Sequence, residues 1–163
     1  MTASGHSTDA VTFALATPVD EAILEVLFRD AFSDYLLRLG RNAKGHDYAW
    51  LGSALTDGRV WQATLDKRPV GAIAVIPDGK TWLLDLIVVS PPEQGRGIGS
   101  RMLQDIERIA LDAGIRRLTL DTVKLRDDLV GMYQRRGFQI YGEGLPSHGR
   151  DDNLRVFMEK HLD

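Results

Sequence analysis

The sequence predicts an α/β (α+β) fold, a single domain with a mixed central sheet of about six or seven strands flanked by about four helices. Three observations carry this expectation. From Trp82 to Val89 the chain is apolar except for Asp85 and rich in β-branched residues towards its end, the pattern of a strand buried on both faces. Pro91 and Pro92 stop that strand, and Gln94-Gly95-Arg96-Gly97 leads into apolar positions at Ile98, Met102, Leu103, Ile106, Ile109, Ala110 and Ala113, the spacing of an amphipathic helix. Gly114 reads as a left-handed cap on that helix, and Arg117 to Val123 as the next strand. A strand, a crossover helix and a strand in this order imply parallel pairing.

The remaining elements follow in order. Residues 1–10 read as a loose tail, and 11–163 as the domain. Val11 to Ala16 alternates like a first strand; Thr17 and Pro18 then form a helix start signal, with Asp20 and Glu21 where the helix dipole favours acid. That helix is expected to reach Arg29, with a second helical segment over Phe28, Ala31, Phe32, Tyr35, Leu36 and Leu39 as far as Gly40. After the polar stretch Arg41 to Asp47, a short helix starts near Tyr48. Arg59 to Leu65 and Pro69 to Ile76 are strands joined by the polar turn Asp66-Lys67-Arg68, and Pro77 to Lys80 turns the chain into the central strand, so that this part is an antiparallel meander. Asp127 and Asp128 are expected to cap a helix carrying Leu129, Met132 and Tyr133, and two final strands, Gly137 to Tyr141 and Asn153 to Met158, flank the loop Gly144 to Asp152.

Bulk properties exclude several classes. A chain of 163 residues is long enough for a core without staples, and 44% hydrophobic with 26% charged residues is ordinary for a globular protein. A formal charge of −3 gives no general attraction to nucleic acid or to anionic membranes. No apolar run approaches the length needed to span a bilayer, and Met1 to Asp9 lacks the charged start and apolar stretch of a signal, so a cytoplasmic location is expected. With no cysteine, acyl transfer through a cysteine-linked acyl-enzyme is excluded. His6, His46, His148 and His161 are isolated from one another, which argues against a metal centre.

The glycine loop is the first candidate site. Glycines let backbone approach a ligand, and free N–H groups at a helix start suit a phosphate. Two better-known phosphate loops do not fit. Counting from Gly95, the third glycine comes one residue early at Gly99 with Ser100 after it, and the Walker ending Gly-Lys-Ser/Thr is absent. A turn that only permits tight packing fits the loop equally well when it is taken alone.

Context favours the phosphate. Val89, Pro91 and Gln94-Gly95-Arg96-Gly97-Ile98-Gly99 resemble the acetyl-CoA-binding motif of the GNAT superfamily of N-acetyltransferases, and Met132-Tyr133 followed by Gly137-Phe138 resembles a second segment of that family at the customary separation. The resemblance covers roughly residues 80–140. It implies a GNAT-like fold whose two parallel central strands splay to hold coenzyme A, and an enzyme that moves the acetyl group of acetyl-CoA directly to a primary amine in a ternary complex. By the same resemblance, Ile87, Val88 and Val89 offer backbone groups to the acetyl-pantetheine arm. Gln94, Gly95, Arg96, Gly97, Ile98, Gly99 and Ser100 hold the pyrophosphate, and an N–H near Val88 or Val89 donates to the thioester oxygen as charge builds on it.

Tyr133 matches the family tyrosine that protonates the departing thiolate as a general acid, against the plain alternative of a helix tyrosine packed on the core. Asp85 lies four residues before Val89 on the same strand face and is the candidate base, against the alternative of a carboxylate satisfied by backbone or an arginine. Glu93 and His148 are weaker candidates. Where many members carry an asparagine that bonds the CoA arm, this chain has Arg126, which cannot accept a hydrogen bond but can pair with a phosphate; Asp127 or Asp128 would take the polar role in a shifted register. Phe32, Tyr35, Arg38 and His46 fall where the family builds its acceptor wall, although core aromatics and solvated charges explain them as well. A small-molecule amine is the expected acceptor, peptide and protein amines remaining open, and the family resemblance makes a homodimer possible. Two rivals stay open from sequence: a non-catalytic acyl-CoA-binding module, and a nucleotide-binding regulatory domain.

Overall fold

A computed structural model describes residues 10–38, 48–146 and 153–163. The elements are β1 (Thr12–Leu15), α1 (Glu21–Arg38), α2 (Ala49–Thr56), β2 (Val60–Leu65), β3 (Arg68–Asp78), β4 (Thr81–Val89), α3 (Ile98–Asp112), β5 (Arg117–Val123), α4 (Asp127–Arg135), β6 (Gln139–Gly144) and β7 (Arg155–His161). The seven strands form one mixed sheet in the order β1-β2-β3-β4-β5-β7-β6. β1 and β2, β2 and β3, β5 and β7, and β6 and β7 pair antiparallel, whereas β4 and β5 pair parallel, as a strand joined to its neighbour by a helix must. The expected fold class is the observed one.

Contacts divide the chain into two compact units: residues through Ala74 together with Leu86–Met102, and Val75–Asp85 together with Leu103–Asp163. In the first, the core is made by Leu24, Leu27, Phe28 and Ala31 of α1, Leu51, Ala54 and Leu55 of α2, Tyr48, and Val60, Ala72, Ala74 and Val88 from the strands. Side chains such as Leu24, Phe28 and Leu51 are completely enclosed, each contributing about 1.5–3 kcal/mol of burial. Asp66 and Lys67 both take left-handed backbone (φ 52° and 65°), forming a two-residue hairpin turn that sets Leu65 opposite Arg68. Arg68 therefore belongs to β3, not to the turn.

In the second unit β5 pairs with β7 over seven residues, Arg117↔His161 to Val123↔Arg155. Leu118, Leu120, Val156 and Met158 supply buried strand residues, and Leu103, Ile106 and Ala110 line the buried face of α3. Lys160 ties three elements together by donating to Glu107 Oε2 (2.7 Å) and to the carbonyl of Arg136 (2.8 Å). Gly137 permits this: its φ of 95° suits glycine, and a Cβ there would lie 3.0 Å from Lys160 Cε.

Several expectations are corrected. The two helical segments expected between Thr17 and Gly40 are one helix, α1, because nothing between Arg29 and Ala31 breaks a helix and the apolar spacing continues through Leu24, Leu27, Phe28 and Ala31. The Thr17-Pro18 start signal produces a 3-10 turn over Pro18–Asp20, in which the Asp20 carboxylate accepts from the Thr17 N–H at 2.9 Å. Ala113 lies beyond the end of α3 and is exposed. Asp127 and Asp128 do not cap α4; Arg126 holds the N-cap position, and both aspartates sit in the first turn, where the dipole still favours them. The tail before Ala10, His46, and residues 147–152 including His148 lie outside the described residues, as do the side chains of Tyr35 and Arg38.

Candidate active site

The glycine loop is built from the end of β4 outwards, entirely within the first unit. Ser90 closes the strand by donating its N–H to the carbonyl of Val70 (2.8 Å), and the prolines form a 3-10 turn over Pro91–Glu93. Gln94 then folds its side chain inward, Nε2 donating to the Val89 carbonyl at 3.0 Å. Gly95 and Gly97 have φ of 80° and 82°, a region costly for residues with a Cβ, so both turns require glycine. They deliver the chain to α3, whose first intrahelical bond runs from Arg101 N–H to the Gly97 carbonyl at 3.0 Å. The N–H groups of Ile98, Gly99 and Ser100 precede that bond and have no intrahelical acceptor.

Gly99 is different. Its backbone is ordinary for any residue, and a Cβ there would only touch Val89 Cγ2 at 3.8 Å. Neither conformation nor internal packing demands glycine at this position, and a Cβ at Gly95 would meet nothing within 4 Å. The loop is thus open on its outer side, with helix-start N–H groups and the positive end of a dipole behind it. These residues fit a pyrophosphate.

Glu93 is the feature sequence reasoning misjudged. Its side chain is only 5% exposed, and its two oxygens take Arg68 Nη2 at 2.8 Å and Arg96 Nη1 at 3.2 Å. A carboxylate engaged in this way is a fixed ion-pair partner, so Glu93 is not a free base. Its pairing with Arg68, 25 residues away, leaves no short-range signal in the sequence.

β4 carries Ile87, Val88, Val89 and Asp85, and its burial alternates. Trp82, Leu84 and Val88 are buried, Leu83, Ile87 and Val89 are half-buried, and Asp85 is exposed. The expectation of a strand buried on both faces is therefore corrected, and with it the argument that Asp85 is a costly buried carboxylate. Its solvated position is compatible with proton exchange. The parallel ladder with β5 runs from Thr81↔Arg117 to Leu83↔Thr119, while β4 continues to Val89 and β5 to Val123. Among the described residues the β4–β5 ladder ends at Leu83, as splayed central strands require.

In the second unit, α4 positions Tyr133. It is 6% exposed and packs edge-on against Phe138 (centroids 6.0 Å apart, planes at 70°), while its carbonyl accepts from the N–H of Arg136 and of Phe138. Met132-Tyr133 and Gly137-Phe138 thus form a helix end folded back on itself. Arg126 closes a two-bond fork on Asp128, Nε to Oδ1 at 2.9 Å and Nη2 to Oδ2 at 2.8 Å. That hydrogen-bonded guanidinium holds the Asp128 carboxyl below the usual carboxylate range, with partial burial opposing it. Among the described residues no group of three or more His, Asp or Glu could hold a metal ion.

A strand ending in a glycine loop at a helix start is an α/β arrangement suited to an anion. A family model described as the acetyltransferase (GNAT) family matches residues 22–138, and the chain belongs to that family. An IAA acetyltransferase of Azospirillum brasilense is 30% identical over 154 residues, covering 93% of this chain and 98% of the relative. Among solved structures, the PaiA N-acetyltransferase of Thermoplasma acidophilum in complex with coenzyme A superposes with a TM-score of 0.75 at 15% identity, covering 93% of this chain and 99% of that one. A ribosomal-protein-alanine N-acetyltransferase of Brucella melitensis gives 0.75 at 21% identity over the same shares. The protein is an acetyltransferase that uses acetyl-CoA.

Proposed function

We propose that this enzyme transfers the acetyl group directly to a primary amine of a small molecule, with the cofactor's pyrophosphate at the loop Gln94 to Ser100 and its acetyl-pantetheine arm along Ile87, Val88 and Val89. The observation that carries the reading is the loop itself: left-handed Gly95 and Gly97 present the start of α3 directly after β4, on a face where Ile87 and Val89 are only half-buried. Bound acetyl-CoA supplies an activated thioester. Asp85, solvated on β4, takes the amine proton directly or through water, and the Tyr133 hydroxyl gives a proton to the departing sulfur. Arg126, held by Asp128 through Nε and Nη2, is a candidate contact to a cofactor phosphate.

Two features support a small acceptor. The relative covered over nearly its whole length is named for IAA. In the first unit, Phe32, Trp50 and Leu86 are half-buried apolar side chains on the core around Phe28, a surface suited to an acceptor with an apolar body. A cytoplasmic enzyme fits the fact that no described helix is long and apolar enough to cross a membrane. A homodimer is part of the same reading, and light scattering on the purified protein reads it directly.

The test is calorimetric titration with acetyl-CoA, followed by thiol release across a panel of amines. Binding together with amine-dependent release of CoA supports the reading. Binding without release for any amine, peptide or protein substrate sinks the proposed transfer, and no binding sinks the site.

A further inference from the structure

We infer that Glu93 is a positioning residue for the cofactor's phosphates, holding the Arg96 guanidinium ready at the glycine loop by sharing one buried carboxylate between Arg96 and Arg68. The inference rests on the placement of the pyrophosphate proposed above. Glu93 ends the 3-10 turn immediately before the loop, with a side chain 5% exposed against 49% for Arg68 and 43% for Arg96. An enclosed carboxylate is costly unless charged donors match its oxygens. Both are matched here, at 2.8 Å by Arg68 and at 3.2 Å by Arg96.

Arg68 alone would serve if the carboxylate merely fastened the start of β3 to the turn. The second oxygen instead reaches forward to the residue between the two left-handed glycines. Arg96 is exposed and flanked by residues without side chains, so the local chain does little to choose its rotamer. Anchored by Nη1, it keeps the remaining donors of its fork for a phosphate oxygen. A guanidinium held before binding loses less freedom when the ligand arrives. The cluster of two arginines and one glutamate retains a net positive charge beside the α3 start, whose dipole has the same sign.

The test compares CoA with acetyl-pantetheine, which lacks the phosphates, on the unaltered enzyme, Glu93→Gln, Arg96→Gln and the double variant. Glu93→Gln is expected to weaken CoA about tenfold and acetyl-pantetheine by less than about twofold, and to cost nothing further in the Arg96→Gln background. Equal losses for both ligands, unchanged or tighter CoA binding, or fully additive losses overturn the inference. Arg96→Gln separates it from its premise. If that variant weakens CoA and Glu93→Gln does not, only the role of Glu93 falls; if neither it nor Gly97→Trp weakens CoA, the pyrophosphate placement falls too. Side-chain 15N relaxation of Arg96 in the unaltered protein needs no variant: an ordered Nε–H is expected, and motion as free as that of an unpaired surface arginine overturns the inference.

Discussion

The two segments that carry the family pattern are built on opposite principles. Residues 90–100 are organised by backbone: left-handed glycines, a helix start, and one buried glutamate that holds two arginines. Residues 126–138 are organised around one side chain, Tyr133, packed against Phe138, with an arginine–aspartate fork at the helix start whose Asp128 is 65% exposed. Both segments contain an arginine–carboxylate pair, yet burial gives them different weight. An enclosed carboxylate must keep its partners, whereas a solvated one is easily replaced by water.

The difference can be broken most sharply at Tyr133. Tyr133→Phe keeps the ring against Phe138 and removes one hydroxyl, so turnover is expected to fall on the order of 100-fold while acetyl-CoA affinity is preserved. A parallel loss in binding and turnover would mean that Tyr133 belongs to the binding surface instead.

Glu93→Ala should lower stability by about 1–3 kcal/mol in denaturant unfolding, because it strips two guanidinium groups of a shared partner and leaves a space. Asp128→Asn should cost about 0.5 kcal/mol or less, since its carboxylate is mostly exposed. Equal losses for the two variants would erase the contrast.

Within the loop, Gly97→Ala is expected to destabilise by about 1–2 kcal/mol through its positive φ. Gly99→Ala should instead be neutral or stabilising by up to about 1 kcal/mol, as alanine favours a helical position with room for a Cβ. If Gly99→Ala nevertheless weakens CoA, glycine is kept there for the ligand. The smallest effect concerns pH. Asp128 titrates below its ordinary value of 3.8 in the folded protein, so its contribution is present above that value and lost as pH falls through the lower folded pKa. Acid unfolding of Asp128→Asn, compared with the unaltered chain, should lack this small component; an identical pH dependence would remove the Arg126 fork from the account.

Much of this was legible in the residues. Periodicity located the strands and helices because alternation and 3.6-residue spacing follow from backbone geometry, and prolines and glycines mark their ends for local reasons. The glycine loop was legible for the same cause: a left-handed turn writes glycine into the sequence. Helix boundaries were read less well. The expected division of α1 came from treating Arg29 as an end when no breaking residue followed it, and the expected capping by Asp127 failed because Arg126 takes that position.

Long-range pairing was not legible. Asp85 drew attention as a charge in an apolar run, but its exposure is set by strand alternation and by what covers each face. Glu93 looked like a spare carboxylate until folding brought Arg68 to it across 25 positions. The sequence by itself determined the element types, the parallel crossover, the glycine loop and the family, because these depend on neighbours along the chain. Only the tertiary structure decided which charges are buried, which arginines share a carboxylate and which strand face stays open, because burial and ion pairing depend on neighbours in space.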